Sequence, residues 1–252
     1  TFDNDLSSRQ FKYFLEQFLN SVSPSNNPYL NPEVLEKSLA TNGQNFVQGY
    51  MNFLNDMQRF QGLPSISMVD ENAFEVGTDL AITPGKVVYE NELMQLIAYV
   101  PEHKVFVVPL LVIPPWINKY YILDLTDKNS FVKWLVERGQ QVFLISWKNP
   151  TTQMREIGFE EYINLGPNQA YTFIEKALKV EKINALGFCI GGTLLSMTQS
   201  LRLSQKKKGF HSLTYLTSLM DFEDPGDIAV YIDEEWVELI SQKMEKTGVL
   251  DG

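Results

Sequence analysis

The chain has 252 residues, of which 44% are hydrophobic and 21% charged, a composition typical of a folded protein and not of a disordered one. Its 31 acidic residues outnumber 21 basic ones, and the formal net charge of −10 excludes a large phosphate-binding surface and with it nucleic acid as a partner. One cysteine and two histidines exclude an internal disulfide and an ordinary structural zinc site, so we expect no metal or cofactor.

The ends of the chain and its apolar runs bear on localisation. No run approaches the roughly 20 apolar residues of a membrane-spanning helix, and residues 1–5 lack the basic and apolar regions of a signal peptide. We expect a cytoplasmic protein without a transmembrane segment. Because the chain begins with Thr1 and ends at Gly252 just after a helix-like stretch, we also expect a fragment that is cut at both ends.

The first third of the sequence predicts amphipathic helices. Apolar residues recur at helical spacing in two series, which are Phe11, Phe14, Leu15, Phe18, Leu19 and Val22, then Phe46, Val47, Tyr50, Met51, Leu54 and Met57. Turn-forming and polar residues follow through Gly77 and Thr78 and indicate a linker. We therefore predict a helical N-terminal region with its linker over residues 1–83.

Residues 84–226 predict strands alternating with helices. The strands are predicted at 86–90, 95–99, 105–113, 141–147, 183–187 and 213–219. The helices are predicted from 131 to a stop at 138–139, over 159–178 with an interruption at Pro167, and over 192–203. This alternation is the pattern of an α/β fold with a mostly parallel sheet.

The sole cysteine lies in a glycine-rich turn between a predicted strand and a predicted helix. The sequence Gly187-Phe188-Cys189-Ile190-Gly191-Gly192 fits the nucleophile elbow of α/β-hydrolases, where the glycines allow a tight turn. Cys189 would occupy a helix N-terminus, whose backbone dipoles favour negative charge, and the Ile190 N–H would face a developing oxyanion. The alternative is a small buried cysteine in a chance pattern of glycines.

Partners for such a nucleophile are harder to find in the sequence. His103 lies upstream in a predicted turn, and His211 begins the last predicted strand, at the edge opposite the catalytic one. Asp221 follows that strand, where a triad acid could lie, but the sequence around it favours a turn. The stretch 113–125 either supplies a second oxyanion N–H or is a proline-stiffened loop. The segment 233–240 predicts a surface helix or, alternatively, a lid.

Four segments together resemble the class I polyhydroxyalkanoate synthases. They are TPGKVVYENEL at 83–93, VIPPWINKYYILDL at 112–125, ALGFCIGGTLL at 185–195 and DFEDPG at 221–226, in the order found in that family. The resemblance extends from about residue 30 to the end. The second segment is more similar to class I than to the shorter class III subunits, which need a second protein.

The resemblance implies a function and a set of site residues. It implies an α/β-hydrolase fold, incomplete here and preceded by the helical region, in which Cys189 is acylated by (R)-3-hydroxyacyl-CoA, with 3-hydroxybutyryl-CoA the expected substrate. The backbone at Ile190 and Ile117 would stabilise the oxyanion, the elbow glycines would be Gly187, Gly191 and Gly192, and Trp116 and Asn118 would line the site. The product would be polyhydroxyalkanoate, made by a homodimer at cytoplasmic granules.

The resemblance also implies what these residues lack. The family's histidine base and its aspartate partner follow an inserted cap, which would begin within residues 227–252, so we expect the chain alone to be inactive. The helices at 9–60 are compatible with dimerisation or granule attachment, and equally with core packing. Two other functions stay open, namely a thioesterase and a non-catalytic module that binds a synthase or a polyester granule.

Overall fold

A computed structural model describes residues 6–59, 66, 68–70, 72–101 and 105–250. Among these the chain divides into two compact units. The first comprises the described residues of Thr1–Ala73 with Pro225–Val237, and the second those of Phe74–Asp224 with Glu238–Gly252. The interpretation of His103 as a turn residue lies outside the described residues.

The first unit contains the predicted amphipathic helices, α1 (Leu6–Ser21), α2 (Pro32–Ala40) and α3 (Gln44–Arg59). Asn31 caps α2 by accepting hydrogen bonds from the N–H groups of Glu33 and Val34, and Pro32 occupies the first helical position. Within this unit α1 contacts the segment 225–237, where the Gln10 side chain donates to the Val230 carbonyl at 3.0 Å. None of the residues in the three helices is fully buried.

The second unit is built on a six-stranded sheet. Its strands are β1 (Lys86–Glu90), β2 (Met94–Tyr99), β3 (Leu110–Ile113), β4 (Val142–Trp147), β5 (Asn184–Phe188) and β6 (Ser212–Leu216). The spatial order is β1-β2-β4-β3-β5-β6, in which β2 runs antiparallel to both of its neighbours, β1 and β4, and the remaining three pairs are parallel. The predicted, mostly parallel sheet is therefore confirmed.

Three predicted boundaries were wrong. The strand predicted at 105–113 begins only at Leu110, because β3 is paired on both sides and Pro109 has no N–H to donate to a neighbouring strand. The strand predicted at 213–219 ends at Leu216, because Thr217 adopts a left-handed conformation with φ 46°. The helix predicted from Gly192 begins two residues earlier, at Ile190.

Helices cover both faces of the sheet. They are α4 (Phe131–Glu137), α5 (Phe159–Ile163), α6 (Gln169–Leu178) and α7 (Ile190–Ser204). A further helix, α8, runs from Glu234 to Thr247. The predicted interruption at Pro167 is a π-helical turn, Asn164–Asn168, that separates α5 from α6. Alternate strand residues enter two buried apolar clusters. Leu111 and Ile145 belong to the cluster that includes residues of α6 and α7, and Val112 and Leu144 to the cluster that includes α4.

A buried carboxylate fixes the chain between β3 and α4. Asp124 is 1% exposed, and its Oδ1 accepts hydrogen bonds from the hydroxyls of Thr83 and Ser130, each at 2.6 Å. Ser130 in turn caps α4 by accepting from the Lys133 N–H. The segment that follows β3 is thereby anchored at its far end.

Candidate active site

Cys189 occupies a strained turn between β5 and α7. Its backbone has φ 54° and ψ −129°, a conformation that residues with a side chain rarely adopt. The turn is fixed by two backbone hydrogen bonds, in which the Cys189 N–H donates to the Leu216 carbonyl and the Gly192 N–H donates to the Cys189 carbonyl, both at 2.9 Å. The cysteine is exposed, so its thiol is accessible at the carboxyl edge of the sheet.

Close approach explains all three glycines of the turn. A Cβ at Gly187 would lie 2.3 Å from the Gly192 Cα, one at Gly191 would lie 2.2 Å from the Ile113 carbonyl oxygen, and one at Gly192 would lie 1.9 Å from the Ser218 Oγ. These separations are far below any non-bonded contact. The turn can therefore form only with glycine at these positions or with movement of the neighbours.

The loop that follows β3 lies directly against this turn. Its first residue, Pro114, contacts Gly191, and the Pro114 carbonyl accepts a hydrogen bond from the Trp147 indole at 2.8 Å. Ile117 is 77% exposed and Asn118 is also exposed, whereas Trp116 is half-buried and packs on Tyr162 with ring centroids 5.1 Å apart. The structure thus brings the two predicted oxyanion segments together, at Gly191.

The segment after β6 forms a third side of the site, which the sequence analysis missed. The Thr193 hydroxyl donates to the Leu219 carbonyl at 2.7 Å, and the hydroxyls of Ser196 and Tyr215 lie 2.8 Å apart. Ser218 lies against Gly192. The carboxyl ends of neighbouring parallel strands meet at one edge, so the position of β6 next to β5 was the signal that could have identified these residues.

The titratable residues near the elbow in sequence do not complete a triad. His211 precedes β6, and because β5 and β6 are parallel, with Asn184 paired to Ser212 and Phe188 to Leu216, it lies at the edge opposite Cys189. It is the only histidine that the structure describes. Asp221 forms the predicted turn, since its Oδ1 accepts from the Glu223 N–H at 2.9 Å.

The described part of the chain contains no cluster of three or more histidine, cysteine, aspartate or glutamate side chains that could hold a metal ion. Within the same ranges, no helix is both long and apolar enough to cross a membrane.

The strand order and the strained, glycine-rich turn between β5 and α7 define a protein of the α/β-hydrolase fold. The particular family follows from comparison with known proteins. A family described as "Poly-beta-hydroxybutyrate polymerase (PhaC) N-terminus" matches residues 2–135. The chain belongs to this family, and the resemblance seen in its sequence is confirmed.

Curated relatives agree with this family. The chain is 39% identical to a poly(3-hydroxyalkanoate) polymerase subunit PhaC from Rhizobium etli, with 95% of this chain and 38% of the relative covered. A polymerase from Methylorubrum extorquens is 38% identical, covering 96% and 40%, and a PhaC subunit from Cupriavidus necator is 39% identical, covering 93% and 40%. The chain spans about two fifths of the length of these relatives.

Solved structures similar to the chain are more distant. Mouse alpha/beta hydrolase domain-containing protein 10 is 12% identical with a TM-score of 0.40, covering 64% of this chain and 59% of its own. A Rhizomucor miehei esterase is 14% identical with a TM-score of 0.42, covering 86% and 57%.

Proposed function

We propose that Cys189 is the nucleophile of a class I polyhydroxyalkanoate synthase that polymerises (R)-3-hydroxyacyl-CoA, with 3-hydroxybutyryl-CoA as its preferred substrate. The observation that carries this proposal is the exposed cysteine in a strained turn, in a chain whose relatives are named poly(3-hydroxyalkanoate) polymerases. As a partner we propose a second copy of the polymerase, and as its location the surface of polyester granules in the cytoplasm.

The chemistry has two steps. In the first, the Cys189 sulfur attacks the thioester carbonyl, the bond between that carbon and the CoA sulfur breaks, and CoA leaves with the proton that the cysteine has lost. In the second, the hydroxyl of another hydroxyacyl unit attacks the enzyme thioester, forms the ester bond and returns its proton as the cysteine sulfur leaves. Acyl exchange between two sulfurs is nearly balanced, so the acyl-enzyme stays reactive toward an alcohol.

The backbone N–H groups of Ile190 and Ile117 are the donors that we assign to the oxyanion in both steps. Ile190 begins α7 directly after Cys189, and Ile117 lies in the loop that contacts Gly191 through Pro114. The described residues place no imidazole at this edge of the sheet, since His211 lies at the other one. We therefore propose that the base and its aspartate lie outside the described residues, and that the chain alone is inactive as a polymerase, its thiol undergoing a single acylation without turnover.

Acylation of the chain tests this proposal. After incubation with (R)-3-hydroxybutyryl-CoA, intact-mass and peptide analysis should find one hydroxybutyryl group on Cys189, together with one equivalent of free CoA. The reaction should be faster than that of the urea-unfolded chain, and faster than with the (S)-enantiomer, because only a folded site orients the thioester. The variant Cys189→Ala should carry no adduct.

Other outcomes reject the proposal in different ways. An adduct that persists in Cys189→Ala rules out this nucleophile. Repeated release of soluble 3-hydroxybutyrate identifies a thioesterase. A folded chain that acquires no adduct but sediments with polyester particles is a non-catalytic binding module.

A further inference from the structure

Trp147 is a buried residue at the same edge of the sheet as Cys189. It ends β4 and is 9% exposed. Because β4 runs parallel to β3, with Val112 paired to Leu144, Trp147 lies beyond the paired residues, beside the start of the loop that follows β3. A tryptophan at this position of a buried strand has the pattern of an ordinary core residue, and its polar contact is what distinguishes it.

That contact is the hydrogen bond to the loop. The indole Nε1 donates to the Pro114 carbonyl at 2.8 Å, in a buried environment. On the Cys189 side, the same peptide contacts the Gly191 backbone so closely that a Cβ there would lie 2.9 Å from the Pro114 carbonyl carbon and oxygen. The Pro114 carbonyl is thus held between the indole and the second residue of α7.

The indole ring itself has little freedom. A Cβ on Gly166 would lie 2.5 Å from its outer ring carbon, and the Tyr162 ring packs on it with centroids 5.3 Å apart. The Trp116 ring meets it edge-on at 6.5 Å. Trp116 directly precedes Ile117, so the Trp147 side chain touches the loop at two points, the Pro114 carbonyl and the Trp116 ring.

We propose that Trp147 is a positioning residue whose indole N–H fixes residues 114–118, so that the Ile117 N–H faces the oxyanion formed at Cys189. This inference rests on the proposed function and adds to it a residue that touches neither substrate nor nucleophile. An oxyanion donor is effective only if it is held in place before the charge develops, because any reorganisation cancels part of the stabilisation. Loss of the indole N–H leaves the buried Pro114 carbonyl without this donor and frees the loop.

Two reactions of the same thiol test the inference. Attack on a thioester forms an oxyanion, whereas alkylation by iodoacetamide does not, so only the first depends on the Ile117 N–H. In Trp147→Phe, we expect the rate of acylation by (R)-3-hydroxybutyryl-CoA to fall about 10- to 100-fold, and the rate of alkylation to stay within about twofold. A merely structural loss would change both rates.

Two further variants separate loss of the hydrogen bond from loss of the ring. Replacing the Trp147 indole by benzothiophene keeps the ring shape, deletes the N–H, and should give the same selective loss. The matched control is Trp134→Phe on α4, where the indole stacks on Phe131 and Arg138, and both rates should match the unchanged chain.

The possible failures are distinguishable. If the unchanged chain is acylated and Trp147→Phe is acylated equally fast, or if both rates fall together in the benzothiophene variant, the positioning role is wrong. If the unchanged chain is not acylated at all, the proposed function is wrong.

Discussion

Two adjacent glycines of the elbow differ in what opposes them, and this difference determines how each can be replaced. Gly191 faces backbone, the Ile113 carbonyl oxygen, which cannot move without displacing β3. Gly192 faces a side chain, with a Cβ there lying 1.9 Å from the Ser218 Oγ and 2.6 Å from its Cβ. The next contact of Gly192, to the Tyr215 ring at 3.2 Å, is only slightly tight.

The variant Gly192→Ala should therefore lower the free energy of unfolding by about 1–3 kcal/mol, as expected for overpacking. Adding Ser218→Gly should recover most of that loss, because it deletes both clashing atoms. Adding Ser218→Gly to Gly191→Ala should recover nothing. Urea unfolding is measured for the two glycine-to-alanine variants, for each of them combined with Ser218→Gly, and for Ser218→Gly alone, which gives the coupling free energies. A coupling free energy of zero between positions 192 and 218 would contradict the steric explanation of Gly192.

At the scale of elements, local patterns predicted what local interactions determine. The strand at 86–90 was correct, because the strand pattern depends on residues that are close together in the sequence. The start of β3 and the end of β6 were wrong, and the interruption at Pro167 was predicted without its π-helical form. In this turn Gly166 has a non-helical backbone conformation, and the Trp147 ring packs directly against it. Trp147 lies 19 positions earlier in the chain. No window of sequence contains that information.

Helix α3 offers a prediction at this scale, because two glycines near it have open space around them and differ in backbone conformation. Gly49 lies inside the helix, whereas Gly43 precedes it with φ 80°, and a Cβ at either would meet no atom within 4 Å. Replacement by alanine should then act through the backbone alone.

We expect Gly49→Ala to raise the free energy of unfolding of the helical unit by about 0.5–1 kcal/mol, because alanine loses less backbone entropy in a helix. In contrast, Gly43→Ala should lower it by about 1–2 kcal/mol, because a Cβ is unfavourable in the left-handed region. The measurement is urea unfolding followed by circular dichroism at a helix wavelength. Shifts of the same sign would show that packing, and not conformation, controls these positions.

At the scale of the whole molecule, the candidate site joins three segments that are distant in the sequence, the loop after β3, the turn at Cys189 and the end of β6. The first two could be predicted, since a strand followed by a glycine-rich turn has a known place in this fold. Trp147 could not, because its role depends on a single hydrogen bond to a carbonyl 33 positions away. Contacts of that kind appear only once the sheet order is known.

The sheet unit also contains four tyrosines whose pKa values are raised by burial, which are Tyr99, Tyr120, Tyr162 and Tyr171. The negative charge of Asp124 raises the pKa of Tyr99 and Tyr120 further, whereas the Arg202 guanidinium partly opposes the shift of Tyr171. A raised pKa means that the folded state holds the phenolic proton more tightly than the unfolded chain does. The resulting stabilisation is complete below the unfolded pKa of about 10 and is lost as the pH rises above it.

We therefore expect the free energy of unfolding of the sheet unit to decrease above about pH 10, the ordinary pKa of tyrosine. Tyr99→Phe should make this decrease shallower. Tyr99 is 3% exposed, and its phenol loses its proton less readily in the folded protein than in the unfolded chain. Tyr29→Phe, which changes a largely exposed tyrosine, is the control. Unfolding in urea at a series of alkaline pH values measures the slope. An equal slope of the free energy of unfolding against pH in Tyr99→Phe and in the unchanged chain would mean that ionisation of this phenol is not coupled to folding. The loss of stability at alkaline pH would then have to arise from the other three tyrosines or from the lysines.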